Sequence, residues 1–161
     1  MASPRAILAE DEPLLREELA ELLASLWPDL EIVAQAADGI ATLQALEKHA
    51  ADILFLDINM PGLNGLEVAR QASGRCHVVF VTAYDQHTLA AFEQGAVDYL
   101  LKPVQPGRLA TTVARLKERI GRPPAVLVWD APNRTLIAAN LVGTMPWTQQ
   151  PDLGIDRKER G

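Results

Sequence analysis

An aspartate that ends an apolar run is the first residue of this chain able to do chemistry. Ile53, Leu54, Phe55 and Leu56 lead into Asp57, and Ile58-Asn59-Met60-Pro61-Gly62 follows as a turn. An ionised aspartate is an adequate nucleophile toward phosphorus and can form an acyl phosphate. Taken alone, an aspartate before a Pro-Gly turn more often only starts that turn. Three further places change its meaning: the acidic pair Glu10-Asp11, the hydroxyl of Thr82 and the ammonium of Lys102, each after a short apolar run of its own. Carboxylates gathered at one rim raise one another's pKa. A hard divalent cation such as Mg²⁺ relieves that repulsion through oxygen ligands. Phosphoryl transfer then needs an in-line nucleophile and neutralised charge, for which Lys102 supplies a point charge and Thr82 a donor.

These residues act together only if the fold brings them to one edge, and the pattern of elements predicts that it does. Arg5 to Ala9 reads as a strand that runs into Glu10-Asp11-Glu12, with Pro13 suited to the first turn of a helix. Leu15, Leu19, Leu22, Leu23 and Leu26 share one face of that helix, which Pro28 ends. Glu31 to Ala36 is a second strand. Asp38-Gly39 caps a second helix, with Ile40, Leu43, Leu46 and Ala50 on its expected buried face. The run into Asp57 is a third strand, and its lack of alternation marks a strand buried on both faces. A short helix spans Gly65 to Ala72, and His77 to Val81 is a fourth strand ending at Thr82-Ala83. A fourth helix is expected from Asp85 to about Gln94, a fifth strand from Val97 to Leu101, and a fifth helix carrying Leu109, Val113, Leu116 and Ile120. Strands that alternate with helices in this way form a parallel sheet with right-handed crossovers. In such sheets the C-terminal strand ends carry the chemistry, and Glu10, Asp11, Asp57, Thr82 and Lys102 all stand there.

The chain has 161 residues, is 48% hydrophobic and carries a net charge of −6, enough for one cored domain and a remainder. With Cys76 the one cysteine, no internal disulfide can form. No basic stripe favours nucleic acid, and neither a signal peptide nor a membrane span is expected. His49, His77 and His87 have no ligand spacing. A boundary is expected at Gly121-Arg122-Pro123-Pro124. Beyond it, Val126 to Trp129 and Thr135 to Ala139 flank Pro132-Asn133 as the strands of a β-hairpin.

Four motifs, in order and each at a strand end, resemble those of the receiver domain of two-component response regulators. They are Ala9-Glu10-Asp11-Glu12-Pro13, Asp57-Ile58-Asn59-Met60-Pro61-Gly62 with Gly65, Val81-Thr82-Ala83, and Asp98-Tyr99-Leu100-Leu101-Lys102-Pro103. The resemblance covers about residues 4 to 121. Phe80 to Asp85, Ala91-Phe92-Glu93 and Ala96 to Pro103 are further similar to receivers of the LytTR transcription-factor class.

The resemblance implies a flavodoxin-like, CheY-like (βα)5 fold with strand order 2-1-3-4-5. It implies that Asp57 accepts a phosphoryl group from a sensor histidine kinase. Mg²⁺ would be held by Asp11, Asp57 and the main-chain carbonyl of Asn59, with Glu10 helping. Thr82, Ala83 and Lys102 would contact the phosphoryl group, and Tyr99 would switch together with Thr82. The Lys102–Pro103 peptide is expected to be cis. Glu10 stands where the family more often has Asp. The spacing from Asp57 to Thr82 is short for the family, which points to a trimmed third helix or loop.

On this reading residues 1–121 are a receiver. Residues 122–161 are a tail, either a hairpin arm or a truncated linker to an absent output domain. The chain would be a cytoplasmic signalling phosphoacceptor rather than an enzyme acting on an outside substrate. It would reach DNA only through that output domain. Phosphorylation would reshape the surface of the fourth helix, fifth strand and fifth helix, and so control homodimerisation and transcription. Asp85, Glu93 and Asp98 would there face Arg108, Arg115, Lys117 and Arg119 of a second copy. Three alternatives compete: a stand-alone receiver acting through protein contacts, an aspartyl-phosphate phosphatase or phosphotransferase, and a flavin-binding module. The second usually shows Asp-x-Asp, where this chain has Asn59. The third wants a Ser/Thr/Gly phosphate loop, where this chain has Glu10-Asp11-Glu12.

Overall fold

The computed structural model describes residues 3–83, 96–124, 126–130 and 135–139. Five parallel strands form one sheet in the order β2-β1-β3-β4-β5: β1 (Arg5–Ala9), β2 (Glu31–Ala36), β3 (Ile53–Asp57), β4 (His77–Thr82) and β5 (Asp98–Leu101). The helices are α1 (Pro13–Leu26), α2 (Gly39–Lys48), α3 (Gly65–Ala72) and a last helix, Pro106–Arg119. The fourth helix expected near residues 85–94 lies outside the described residues. Doubly wound architecture follows from the strands themselves. Ile53 and Phe55 enter one core with Leu19, Leu23, Leu109 and Leu116, under α1 and the last helix. Leu54 and Leu56 enter a second core with Leu46, Val68 and Ala69, under α2 and α3. Successive side chains of a strand point to opposite faces, so covering both faces demands the unbroken apolar run seen in β3 and β4.

Two helix boundaries show local chemistry at work. The Asp38 carboxylate accepts from the Ala41 N–H at 2.7 Å and Asn64 Oδ1 accepts from the Glu67 N–H at 3.0 Å, so α2 and α3 start on side-chain caps. The buried face of α2 differs from the expected one. Gly39, Thr42, Ala45 and Leu46 turn inward, Leu43 is half-buried, and Ile40 is 57% exposed. Small residues let the helix lie close to its neighbours, and that closeness rotates Ile40 outward. The last helix buries Leu109, Val113 and Leu116 as expected, and Thr112 with them.

After Gly121 the strands Val126–Asp130 and Thr135–Ala139 pair antiparallel as a separate two-stranded sheet. The expected Pro132-Asn133 turn and the segment from Met145 to Gly161 lie outside the described residues. Among the described residues no helix is long and apolar enough to cross a membrane.

Candidate phosphoacceptor site

Parallel pairing puts the ends of β1, β3 and β4 side by side. Leu56 lies beside Ala9 and Asp57 beside Val81, while Thr82 pairs with Leu101 across β4 and β5. Glu10, Asp57, Thr82 and Lys102 are thereby brought to one rim, and the first three are buried. Lys102 binds the two carboxylates at once, its Nζ lying 2.7 Å from Glu10 Oε1 and 3.0 Å from Asp57 Oδ2. Asp57 Oδ1 accepts from the Asn59 N–H at 3.0 Å. The Lys102 N–H donates to the Thr82 carbonyl at 2.8 Å, which fastens the lysine to the hydroxyl residue through the backbone. Ala83 and Asn59 are exposed beside this cluster. The Lys102–Pro103 peptide is cis.

The electrostatics follow from two carboxylates sharing one ammonium. Burial pushes the Glu10 carboxyl up to about 7, against the hydrogen bonds it accepts from Lys102 and the Glu12 N–H. Burial likewise raises Asp57 above its ordinary 3.8, against the donors Asn59 N–H and Lys102. Burial alone would lower Lys102, but its two carboxylate partners outweigh that and hold it above 10.5.

The oxygen donors fit a hard cation. Carboxylate oxygens of Glu10, Asp11 and Glu12 lie within 4.8 Å of one another, a pure oxygen set of the kind Mg²⁺ takes. This trio differs from the set that the motifs suggested. Asp57 lies outside this trio, with its Oδ2 3.0 Å from Lys102 Nζ. Glu12 takes a place in it because the chain turns sharply into α1, where the Glu12 N–H donates to Glu10 Oε2 at 3.2 Å.

Tyr99 is half-buried and packs against the core under α2 and α3. Arg108 holds it: Nη2 donates to the Tyr99 carbonyl at 2.9 Å, and the guanidinium carbon lies 5.6 Å from the ring centroid. Arg108 also grips Asp98 with both nitrogens, at 2.6 and 2.8 Å. Thr112 Oγ1 donates to Asp98 at 2.8 Å, and Arg115 Nη1 lies 2.9 Å from it. This corrects the expectation that Asp98 faces a second copy, since its side chain is 1% exposed and engaged within its own chain. Sequence reasoning also missed Arg16, whose Nη1 donates to the Glu10 carbonyl at 2.7 Å. A basic residue in the first turn of α1 carries no local signal of such a partner. The Arg108–Asp98 clamp spans a strand, a loop and a helix start, which no periodicity reveals.

A family model described as the response regulator receiver domain matches residues 6–114. The chain belongs to the response regulator receiver family. Such receivers accept signals in two-component systems, generally bind Mg²⁺ at an acidic pocket and interact with histidine kinases. A response regulatory protein of Vibrio cholerae is 52% identical over 120 residues, 73% of this chain and 46% of its own length. The transcriptional regulatory protein BtsR of Salmonella typhi is 41% identical over 116 residues, 71% of this chain and 48% of its own. This receiver chain therefore spans about half the length of the curated relatives it matches. Among solved structures, the response regulatory domain of protein mrkE from Klebsiella pneumoniae is similar at 37% identity and a TM-score of 0.63, covering 71% of this chain and 95% of that one. CheY6 of R. sphaeroides, solved in complex with the P1 domain of CheA3, is similar at 28% identity and a TM-score of 0.62, covering 73% and 99%.

Proposed function

We propose that Asp57 is the phosphoacceptor of this receiver, charged from a phosphohistidine on a sensor kinase. The observation that carries the reading is the buried Asp57 carboxylate 3.0 Å from Lys102 Nζ, with Glu10 on the same ammonium at 2.7 Å. An Asp57 oxygen attacks phosphorus. The new P–O bond forms as the P–N bond to histidine breaks, and the imidazole leaves with its electron pair and takes up a proton. Lys102 exchanges its Asp57 contact for a phosphoryl oxygen, and the Thr82 hydroxyl and Ala83 N–H donate to the others. Mg²⁺ would be held by Asp11, Asp57 and the Asn59 carbonyl with Glu10 helping, and would supply charge neutralisation for the phosphoryl oxygens. Water later cleaves the acyl phosphate and returns Asp57 and inorganic phosphate. The chain catalyses only these two steps on itself and acts on no outside substrate.

The test uses acetyl phosphate. Incubation with Mg²⁺ adds the mass of one phosphate to the parent chain, and Asp57→Asn abolishes the gain. Labelling of the variant at the same stoichiometry sinks the assignment.

For output, we infer a cytoplasmic regulator of transcription of LytTR type that dimerises when phosphorylated. Support comes from the 41% identity to a transcriptional regulatory protein and from the motifs around Phe80 and Tyr99. Added phosphate charge draws Thr82 toward it, and Tyr99, packed beside β4, follows. The face of β5 and the last helix changes as a result. Ala110 and Ala114 are exposed on the last helix.

A further inference from the structure

Gly39 opens α2, and its backbone does not adopt the left-handed conformation that favours glycine. Flexibility is therefore not what the position needs, and in a helix glycine is less favourable than alanine. What the position needs is room. A Cβ on Gly39 would run into the Leu63 carbonyl oxygen and lie 2.8 Å from Leu63 Cβ. Across the same contact the Gly39 N–H donates to the Pro61 carbonyl at 3.3 Å. Pro61 and Leu63 belong to the loop that leaves Asp57. Its far end is held as closely, for the Gly65 N–H donates to the Ile58 carbonyl at 2.9 Å and a Cβ on Gly65 would lie 2.6 Å from the Asp57 carbonyl oxygen. Between the two glycine contacts runs Asn59, tied to the Asp57 carboxylate through its N–H at 3.0 Å.

We infer that Gly39 is a positioning residue for the Mg²⁺ site: its missing side chain lets α2 seat the loop that carries the Asn59 carbonyl, so α2 sets cation affinity without touching the cation. The inference rests on the Asp57–Mg²⁺ reading above. Mg²⁺ demands near-ideal octahedral geometry, so a methyl group that lifts Leu63 displaces a ligand of that ion. The nearest contact is to the Leu63 carbonyl oxygen, a main-chain atom, and the next is to Leu63 Cβ, fixed to the main chain, so neither can swing away as the far end of a flexible side chain would.

The experiment compares Gly39→Ala with Gly107→Ala in the full chain. Gly107 also lies in the first turn of a helix, but a Cβ there meets nothing within 4 Å. Mg²⁺ affinity is measured by calorimetry, the Asn59 amide resonance is recorded without Mg²⁺, and thermal melts report folding. Gly39→Ala weakens Mg²⁺ binding about tenfold, the range for a residue that orients a metal ligand, and moves the metal-free Asn59 resonance. Gly107→Ala does neither. Leu63→Gly is a second variant that trims the loop side of the contact and leaves α2 intact; it too weakens binding and moves the resonance. Unchanged affinity and an unmoved Asn59 resonance in both variants overturn the inference. If the parent takes up no Mg²⁺, the Asp57–Mg²⁺ reading falls, and the Asn59 resonance still decides whether Gly39 positions the loop.

Discussion

Asp98 shows what one carboxylate does when the fold surrounds it with donors. Burial would raise its pKa, but hydrogen bonds from Arg108, Thr112 and the Tyr99 N–H outweigh that and hold it below 3.8. A folded pKa below the unfolded one means that the stabilisation is fully present above about pH 4 and is lost as pH falls through the folded value. Asp98→Asn removes that charge and leaves the arginines with a weaker acceptor. Losing one partner of a buried ion pair costs about 3 kcal/mol or more when the other stays buried. Arg108 and Arg115 are 37% and 52% exposed and can rehydrate, so a loss of about 1–2 kcal/mol at pH 7 is expected. Urea unfolding checks it, and the gap between parent and variant narrows below pH 4. Arg108 also holds Tyr99, so the same variant loosens the aromatic residue expected to carry the signal.

At the scale of elements, the foot of β4 is tied to the segment that follows the last helix. The His77 side chain is buried and hydrogen-bonded to the backbone of Arg122. Burial lowers the His77 pKa from 6.5, helped by nearby Arg119 and opposed by the Arg122 hydrogen bond and by Asp52. The unfolded chain then binds its proton first as pH falls. This contribution to stability is therefore complete above pH 6.5 and declines below it, toward the folded value. Between pH 7.5 and about 5.5, thermal melts of the parent should drop more steeply than those of His77→Gln. Equal slopes would mean that the ring titrates as freely in the folded chain as in the unfolded one.

For the whole molecule, engagement of Asp98 inside the chain changes how dimerisation is tested. Arg115→Glu would disrupt the Asp98 cluster as well as any contact between copies, and is a poor probe. Ala114 is exposed on the last helix and touches neither core. Sedimentation velocity with beryllofluoride and Mg²⁺ should show a tighter dimer for the parent than without them. Ala114→Glu should weaken it at least several-fold, because exposed ion pairs contribute only about 0–1 kcal/mol each and apolar contact carries the rest. An unchanged dissociation constant on adding beryllofluoride, or a variant that dimerises as well as the parent, would place the output surface elsewhere.

The strands, the first and third helices and the rim holding Glu10, Asp57, Thr82 and Lys102 were legible in the chain alone. Their signals are local: unbroken apolar runs require burial on both faces, caps and prolines mark helix starts, and parallel pairing sends every strand end to the same edge. Contacts that depend on how closely elements approach were not legible. Ile40 had the right spacing for a buried face, yet it is 57% exposed, and Gly39 rather than Ile40 sits close against Leu63. Asp98 looked like a surface charge until Arg108, Thr112 and Arg115 closed over it. That Lys102 would place one ammonium between the Glu10 and Asp57 carboxylates was not legible either. Sequence spacing specifies which face a residue shares within its own element. Which charges meet between elements depends on axis distances and rotations, and packing of both cores decides those.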